Sequence, residues 1–401
     1  MRIDRAGKMG DAMNASIGGG KIRVLQFLTV DDLAGTELMT YDLVRAMDEE
    51  RFDVHVAFLL NRGPLSERLE QAGIQVHCLR GNEGFVRPLR ELIELVRSRH
   101  FDLVHLYGFK TSLLGRIVFK LLSRSTQVIH GIRGQHVSQS VDTGSLTTRT
   151  AIQLERFLSP LIDYYVSNSK GAVRFLTERG LPEHKFVWIP SGIDTTEWVQ
   201  VARSAKSIPL IVCVARFHAQ KRHADLVEGL AILASDGTAF RCIFAGDGPL
   251  LESVKAHVNR LGLYEFVEFA GIIEPSAIKD LLKEADVFVL SSEWEGLPRS
   301  VIEAMASGLP VVGTDVNGTN ELVIHGETGL LVPVRDPKAL ARSISMLLLD
   351  AELRREMGRR GRRRVEEEFD IRQTTRQLED FYASIVPISA DPSLTAQPTR
   401  H

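Results

Sequence analysis

Short apolar runs alternate with longer amphipathic stretches along most of the chain, and this alternation starts a second time near residue 208. The first series runs from Ile22–Leu28 to Phe186–Pro190, and the second begins at Pro209–Ala215. Uninterrupted apolar runs of this kind are typical of parallel strands that are covered by helices on both faces. A chain of 401 residues is also longer than one hydrophobic core normally serves. We therefore predict an α/β protein of two doubly wound domains that face each other across a cleft.

Composition shifts at the ends and in the middle of the chain predict the domain boundaries. The termini are rich in small and polar residues, and residues 192–207 are polar without a strong period. The predicted order is a disordered leader at 1–20, a first domain at 21–191, a linker at 192–207, a second domain at 208–365, a closing helix at 366–386 and a disordered tail at 387–401.

The overall composition narrows the classes of function. The formal net charge is −2, so the charge balance does not favour binding to nucleic acid. The three cysteines are far apart and lie in strand-like runs, which indicates buried thiols in a reducing compartment. No apolar run reaches the ~18 residues of a membrane helix, and the N-terminal segment lacks the apolar core of a signal peptide. We therefore expect the protein to be cytoplasmic.

One stretch of the second series, Ser291–Val312, combines a predicted loop and helix with two carboxylates. It follows a buried strand, and Gly296 and Pro298 break the chain before a helix pattern begins. Loops at the carboxyl ends of parallel strands are where open α/β sheets bind ligands, and the free N–H groups of a helix start suit an anion. Glu295 in the loop and Glu303 in the helix would accept hydrogen bonds from the hydroxyls of a sugar or ribose.

Seven residues separate Glu295 from Glu303, and this spacing resembles the E-x7-E motif of the retaining glycosyltransferases of family 4. Further family-like motifs follow one another in order between residues 22 and 385: Ala34–Glu37, Val104–His105, Val166–Lys170, Ile189–Asp194, Val214–Phe217 with Gln220–Lys221, Phe244–Pro249, and Asn320–Glu321 with Gly326–Val332. The resemblance implies the glycosyltransferase-B fold, in which two Rossmann-like domains face each other across a cleft. The first binds mainly the acceptor and the second mainly the nucleotide-sugar donor, and the C-terminal helix returns to the first domain.

The resemblance also implies roles for the residues of the donor site. Arg216 and Lys221 would hold the diphosphate, Glu303 the ribose and Glu295 the donor sugar. The remaining donor-binding residues would be Gly35, Gly246, Gly248, Ile272, Gly296 and Leu297. Without the resemblance, a solvated pair of cations on a loop and carboxylates favoured by a helix dipole would be adequate interpretations.

On the first domain, the resemblance points to His105 as a catalytic group that contacts the donor sugar. A core histidine is the alternative interpretation. Many members carry a second histidine two residues further on, where this chain has Tyr107. His105, Tyr107 and Lys110 are therefore all candidates for the contact with the sugar or the acceptor. Arg133 is a further candidate, which either faces the cleft or has a structural role.

The reaction that these residues imply is retaining transfer of a hexosyl unit from a nucleoside-diphosphate sugar to a hydroxyl acceptor. The acceptor would be a glycan or a lipid-linked glycan of cell-envelope or exopolysaccharide synthesis. No Asp-x-Asp stands in a loop suited to hold a metal beside the phosphates, so we expect Arg216 and Lys221 to replace a metal and no cofactor to be needed. The alternatives are a nucleotide-sugar 2-epimerase or sugar phosphorylase on the same fold, or a non-catalytic nucleotide- or carbohydrate-binding protein.

A predicted helix in the first domain carries a basic stripe. Arg116, Lys120 and Arg124 recur every fourth residue among apolar side chains, and no Asp or Glu occurs between Leu103 and Val141. Such a helix could lie against an anionic membrane, at the inner face of which a lipid-linked acceptor would be found. An ordinary surface helix with a solvated basic stripe is the equal alternative.

Overall fold

The structure is a computed structural model that describes residues 20–31, 35–84, 86–133, 146–198 and 208–386. The predictions of a disordered leader and tail therefore lie outside the described residues, apart from residue 20, as does the second half of the predicted linker. In the described part of the chain, no helix combines the length and the apolar character needed to cross a bilayer.

The first domain is a parallel sheet of seven strands with helices on its faces. Strands β1 to β7 are Ile22–Leu28, Phe52–Phe58, Gln75–Cys78, Leu103–Tyr107, Gln127–Ile132, Tyr164–Ser167 and Phe186–Trp188. Helices α1 to α6 are Gly35–Ala46, Pro64–Gln71, Val86–Ser98, Phe109–Leu122, Leu146–Leu158 and Lys170–Thr177. The strand order is β3-β2-β1-β4-β5-β6-β7, and every neighbouring pair is parallel.

The second domain repeats this arrangement with six strands. Strands β8 to β13 are Leu210–Val214, Arg241–Ala245, Val267–Gly271, Val287–Leu290, Val311–Thr314 and Gly329–Val332. Helices α7 to α14 are His223–Ser235, Leu251–Arg260, Pro275–Glu284, Arg299–Ala306, Thr319–Leu322, Pro337–Leu349, Ala351–Glu368 and Ile371–Ile385. The order is β10-β9-β8-β11-β12-β13, again all parallel.

Both sheets confirm the predicted fold class. The central strands β4 and β11 are buried at every residue, as the uninterrupted apolar runs predicted. In each sheet the strand order reverses beside the first strand of the domain, between β1 and β4 and between β8 and β11. Ligands of doubly wound sheets bind beyond the carboxyl ends of the strands at such a reversal, which gives each domain a favoured site facing the cleft.

The described part of the predicted linker is a packed connection and not an open one. Ile193 pairs with Asp370 in a parallel bridge, and the Thr195 hydroxyl donates to the Asp370 carboxylate. Trp198 is buried in the same core cluster as Phe369. Polar groups of this segment are thus paired with the chain that leaves the second domain.

Helix α14 lies on the first domain. The Tyr382 hydroxyl accepts a hydrogen bond from Gln26 Nε2 at 3.1 Å and lies 2.6 Å from His105 Nδ1. At the same surface, the Asp48 N–H donates to the Glu379 carboxylate at 2.6 Å. The closing helix thus fastens the two domains together from behind the cleft.

Further contacts join the domains at the starts of helices α6 and α10. The Glu321 carboxylate of α11 accepts hydrogen bonds from the Ser169 hydroxyl at 2.6 Å and from the N–H groups of Lys170 and Gly171 at 2.7 and 3.0 Å. A carboxylate of the second domain therefore caps the start of α6 in the first. The other contact is an ion pair of Arg299 with Asp42 of α1, at 2.6 Å.

Candidate functional site

The loop between β11 and α10 is held against the turn that follows β8. The Glu293 N–H donates to the Gln220 carbonyl at 2.7 Å, and Gln220 Nε2 donates to the Trp294 carbonyl at 2.8 Å. The Ser291 hydroxyl reaches the carbonyls of Lys221 and Arg222 at 3.0 and 3.1 Å. These bonds bring the two predicted halves of the donor site to one place.

Lys221 and Glu295 meet at the centre of this arrangement. Lys221 Nζ lies 2.5 Å from Glu295 Oε1, and the same oxygen accepts a hydrogen bond from the Ser292 hydroxyl at 2.5 Å. The Lys221 and Glu295 side chains are 18% and 6% exposed. A sugar and the phosphate that it leaves are joined through one oxygen, so a cation and a carboxylate this close could each contact its expected part of a donor.

Arg216 is exposed on the loop that follows β8, and it forms no ion pair with any residue that the structure describes. Gly246 and Gly248 lie beneath that loop with φ of +138° and +152°. A Cβ on either glycine would collide with the carbonyl oxygen of Ala215 or Phe217. The two predicted donor-binding glycines therefore support the backbone that carries Arg216, and direct contact with a donor stays a prediction for them.

Glu303 lies in the first turns of α10, buried beside Arg299. Arg299 Nε lies 2.7 Å from Glu303 Oε1, and Arg299 Nη1 lies 2.6 Å from Asp42 Oδ2 of the first domain. Burial raises the pKa of Glu303, and Arg299 opposes that rise without cancelling it. The spacing of Arg299 and Glu303 on a helix indicates an ion pair, but Arg299 was not among the predicted site residues.

The other predicted donor-binding residues are distributed around this centre. Gly35 begins α1 across the cleft, where a Cβ would lie 4.0 Å from the Cβ of Arg299. Gly296 is buried and its carbonyl packs against Gly318, while the Leu297 side chain lies in the hydrophobic core. Ile272 is 79% exposed beyond the end of β10. Among the described residues no side chain caps the start of α10, so its first N–H groups are available to a ligand.

A cavity of about 390 Å³ opens in the first domain at the carboxyl ends of β1, β4 and β5. The predicted residues Tyr107, Lys110 and Arg133 line it. The Arg133 guanidinium lies over the Tyr107 ring at 5.1 Å from its centroid and donates to the Ser191 hydroxyl. The structure therefore brings these three residues to one cavity that faces the second domain.

His105 does not line that cavity and is completely buried. Its Nδ1 lies 2.6 Å from the Tyr382 hydroxyl and 3.1 Å from the Tyr107 hydroxyl. Burial, assisted by the charge of Arg133, lowers the pKa of His105 well below its usual range, so the ring is neutral. This is the geometry of a core histidine that helps to hold α14, and in this arrangement a bound sugar would not contact it directly.

The lining of the cavity includes ionisable residues that sequence reasoning missed. Glu155 of α5 and His130 of β5 both line it, and Glu155 Oε1 lies 3.3 Å from His130 Nδ1. Glu155 also pairs with Arg116 at 2.9 Å and accepts a hydrogen bond from the Tyr165 hydroxyl at 2.8 Å. Their signal in the sequence was weak, because three separate elements, α4, β5 and α5, supply them and no short motif joins them.

The predicted basic stripe on α4 is wrong. Arg116 is 1% exposed and turned inward to Glu155, and Lys120 pairs with Asp163 at 2.6 Å. The outer face of α4 is instead apolar. Phe109, Ile117 and Leu121 are exposed on it at a spacing of four or eight residues, and Phe109 also lines the cavity. Any membrane contact of this helix would therefore rest on apolar side chains and not on a row of cations.

Two family models match the chain. One, described as glycosyl transferases group 1, matches residues 194–364. The other, described as Glycosyltransferase Family 4, matches residues 33–197. They meet in the connection between the two domains, so each domain is matched by its own model.

Individual proteins show the same likeness. EpsF of Bacillus subtilis, a putative glycosyltransferase, is 30% identical over 73% of this chain and 79% of its own. WcaL of Salmonella typhimurium, a putative colanic acid biosynthesis glycosyltransferase, is 32% identical, and the chain spans about half of its length (54%). An Escherichia coli UDP-Gal:alpha-D-GlcNAc-diphosphoundecaprenol alpha-1,3-galactosyltransferase is 23% identical over 91% of this chain and 98% of its own.

A solved structure supports the fold. Anabaena Alr3699/HepE in complex with UDP-glucose superposes with a TM-score of 0.78 at 19% identity, covering 91% of this chain and all of that one. At this identity the likeness establishes the arrangement of two Rossmann-like domains.

Proposed function

Since the chain belongs to the family-4 glycosyltransferases, we propose that it transfers a hexosyl unit from a nucleoside-diphosphate sugar to a hydroxyl acceptor with retention of the anomeric configuration. The observation that carries this proposal is the contact between Lys221 and Glu295, at 2.5 Å, on the side of the second domain that faces the first-domain cavity. It brings a cation suited to phosphate and a carboxylate suited to sugar hydroxyls to one place.

In the proposed reaction, the bond between the anomeric carbon and the donor phosphate oxygen breaks, and the oxygen keeps the electron pair. The acceptor oxygen forms the new bond on the same face of the sugar, and its proton passes to the departing phosphate. Arg216 and Lys221 would stabilise the charge that develops on that phosphate. With two cations available for this purpose, we propose that no divalent metal takes part.

The proposed nucleotide position follows the start of α10. Glu303 would accept hydrogen bonds from the ribose hydroxyls, while the free N–H groups at the helix start would face the phosphates. Uridine nucleotides are the first donors to test, because UDP-galactose is named for one relative and UDP-glucose is bound by a structural neighbour.

For the acceptor, we propose a glycan carried on a lipid, bound with its sugar in the first-domain cavity. Lys110 and Arg133 line that cavity and would suit a phosphate of the lipid carrier. The exposed Phe109, Ile117 and Leu121 extend from the cavity along α4 and would contact the lipid chain or the membrane surface. The relative that acts on a diphosphoundecaprenol-linked sugar supports this choice of acceptor class.

The proposal is tested first on donor binding and donor use. UDP, GDP and ADP are compared for the rise in unfolding temperature that they cause, because a ligand bound by the native state stabilises it. Turnover is then measured with sugars of the nucleotide that protects the protein. Lys221→Ala and Glu295→Ala are each expected to lower it by at least about a hundredfold, as loss of a group that stabilises developing charge does. Both variants should keep the wild-type unfolding temperature within a few degrees.

A control variant and a chelator complete the test. Lys255→Ala removes an exposed lysine of α8 and should leave turnover unchanged. Turnover should also survive excess EDTA. Full activity of Lys221→Ala or Glu295→Ala would contradict the site, and loss of activity with EDTA that returns on adding Mg²⁺ or Mn²⁺ would contradict the metal-free reaction.

A further inference from the structure

Arg299 bridges the two domains at the carboxylate that is expected to bind ribose. Its Nε lies 2.7 Å from Glu303 Oε1, and its Nη1 lies 2.6 Å from Asp42 Oδ2. The Arg299 and Glu303 side chains are only 14% and 8% exposed. A planar guanidinium with separate donors can hold two carboxylates at once in a fixed geometry, which a lysine ammonium cannot do as well.

The bridge leaves one oxygen of Glu303 available. Arg299 engages Oε1, and no residue that the structure describes donates a hydrogen bond to Oε2. The carboxylate is therefore held on one side and open on the other, beside the uncapped start of α10. The lone pairs of that free oxygen can accept hydrogen bonds from ribose hydroxyls.

We propose that Arg299 is a positioning residue for donor binding, which keeps the Glu303 carboxylate ionised and turns its free oxygen toward the ribose, with Asp42 of the first domain holding the other end of the guanidinium. This inference rests on the proposed function, because it assumes that Glu303 binds the nucleotide. Arg299 itself need not touch the donor.

The charges around Glu303 explain why such a residue is needed. Burial is the largest influence on Glu303 and raises its pKa, and Asp42 on α1 acts in the same direction. Arg299 on the same helix and Lys279 on α9 oppose them. Without Arg299 the carboxyl group would be protonated at higher pH, and a protonated carboxyl is a poorer acceptor for two hydroxyls.

The experiment measures the dissociation constant of UDP, or of whichever nucleoside diphosphate protects the protein, at pH 6.0 and pH 8.5. The dissociation constant of each variant is divided by that of the wild type at the same pH. Titration of the nucleotide affects both constants equally and so cancels in this ratio. For Arg299→Gln the ratio should be larger at pH 6.0 than at pH 8.5, by a factor of up to about ten for each unit by which the loss of the cation raises the pKa of Glu303. Arg299→Lys keeps a cation and should show a smaller difference.

Three further variants make the result specific. Glu303→Gln should weaken binding by a similar ratio at both pH values, because nothing remains to titrate. Asp42→Asn should not weaken binding at pH 6.0 more than at pH 8.5, because it removes a negative charge that raises the pKa of Glu303. Arg68→Gln removes another ion pair between the domains, that of Arg68 with Glu274, and is the matched control with a ratio near one.

The outcomes separate the two proposals. A pH-independent ratio for Arg299→Gln, together with weak binding by Glu303→Gln, would overturn the role of Arg299 and leave the donor site standing. Wild-type binding by Glu303→Gln would overturn the ribose assignment and the inference with it. If Arg299→Gln does not fold, Asp42→Asn decides, since weaker binding by that variant at pH 6.0 alone would overturn the inference.

Discussion

Glu155 and Glu303 are both buried carboxylates, yet their surroundings shift their pKa values in opposite directions. At Glu155 burial acts to raise the pKa, but His130 and Arg116 outweigh it and hold the pKa at about 2. At Glu303 burial prevails over Arg299, and the pKa is raised. Glu155 is therefore a charged group in the cavity lining at neutral pH, whereas the charge of Glu303 depends on the balance among burial, Arg299, Asp42 and Lys279.

His223 provides a test of burial at a single residue. It stacks on Phe217 with ring centroids 4.2 Å apart, and neither ring nitrogen has a hydrogen-bond partner among the described residues. Burial lowers its pKa from 6.5 to about 4. His223 is therefore harder to protonate in the folded than in the unfolded state. Its contribution to the free energy of unfolding is fully present above pH 6.5 and is lost as the pH falls toward 4. The difference of roughly 2.5 units corresponds to about 3 kcal/mol.

We expect His223→Phe to flatten this part of the profile. The free energy of unfolding from urea titrations should fall by up to about 3 kcal/mol less between pH 6.5 and pH 4 than in the wild type, while the other buried histidines keep their share. His184→Asn, an exposed histidine, is the control and should leave the profile unchanged. Parallel profiles for His223→Phe and the wild type would contradict the assignment.

Among the elements, α10 and α4 show what the sequence could and could not predict. The start of α10 was predictable because proline, glycine and the apolar period act within a few neighbouring residues. The direction of Arg116 on α4 was not, because it depends on Glu155 of α5, which the fold brings against it. The same limit applies to Arg299: the helical spacing to Glu303 is local, but its partner Asp42 stands 257 positions earlier in the chain.

The Tyr382 hydroxyl contributes to the attachment of α14, beside the Glu379 contact and the apolar packing, and this gives a prediction for that element. Tyr382→Phe removes the hydroxyl that contacts Gln26 and His105. His105 Nδ1 keeps the Tyr107 hydroxyl, but Gln26 Nε2 is left buried without its hydrogen bond, which costs about 1–3 kcal/mol. We expect a lower unfolding temperature and faster proteolysis after residue 365. Tyr164→Phe is the matched control, because it keeps the ring that packs edge-on against Phe381. Equal stability of the two variants would contradict this role.

For the whole molecule, the relation of the two domains is fixed at the back by α14 and at the cleft by Arg299 and Glu321. An opening that parts the starts of α6 and α10 from the opposite domain would break the Glu321 and Arg299 contacts. The charged cap from Glu321 to α6 should be worth about 1 kcal/mol, as N-terminal caps and helix-dipole interactions are.

Glu321→Gln should therefore shift the free protein toward a more open form. The amide presents N–H groups where the helix start needs acceptors, so part of the cap is lost. We expect a larger radius of gyration by small-angle X-ray scattering in the absence of nucleotide, and a smaller difference from the wild type when nucleotide is bound. Glu327→Gln, an exposed carboxylate of the same domain, should not change the radius. An unchanged radius for Glu321→Gln would show that the cap does not influence the opening.

The cap formed by Glu321 across the cleft also offers a probe of domain opening by amide hydrogen exchange. The amide hydrogens of Lys170 and Gly171 are bonded to a carboxylate of the other domain and not to their own helix. They can exchange with deuterium only when that carboxylate withdraws, whereas amides inside α6 wait for the helix itself to unfold. The exchange rate at these two positions would therefore report the population of the open form, and its slowing by a donor would report how far the donor shifts that population toward the closed form.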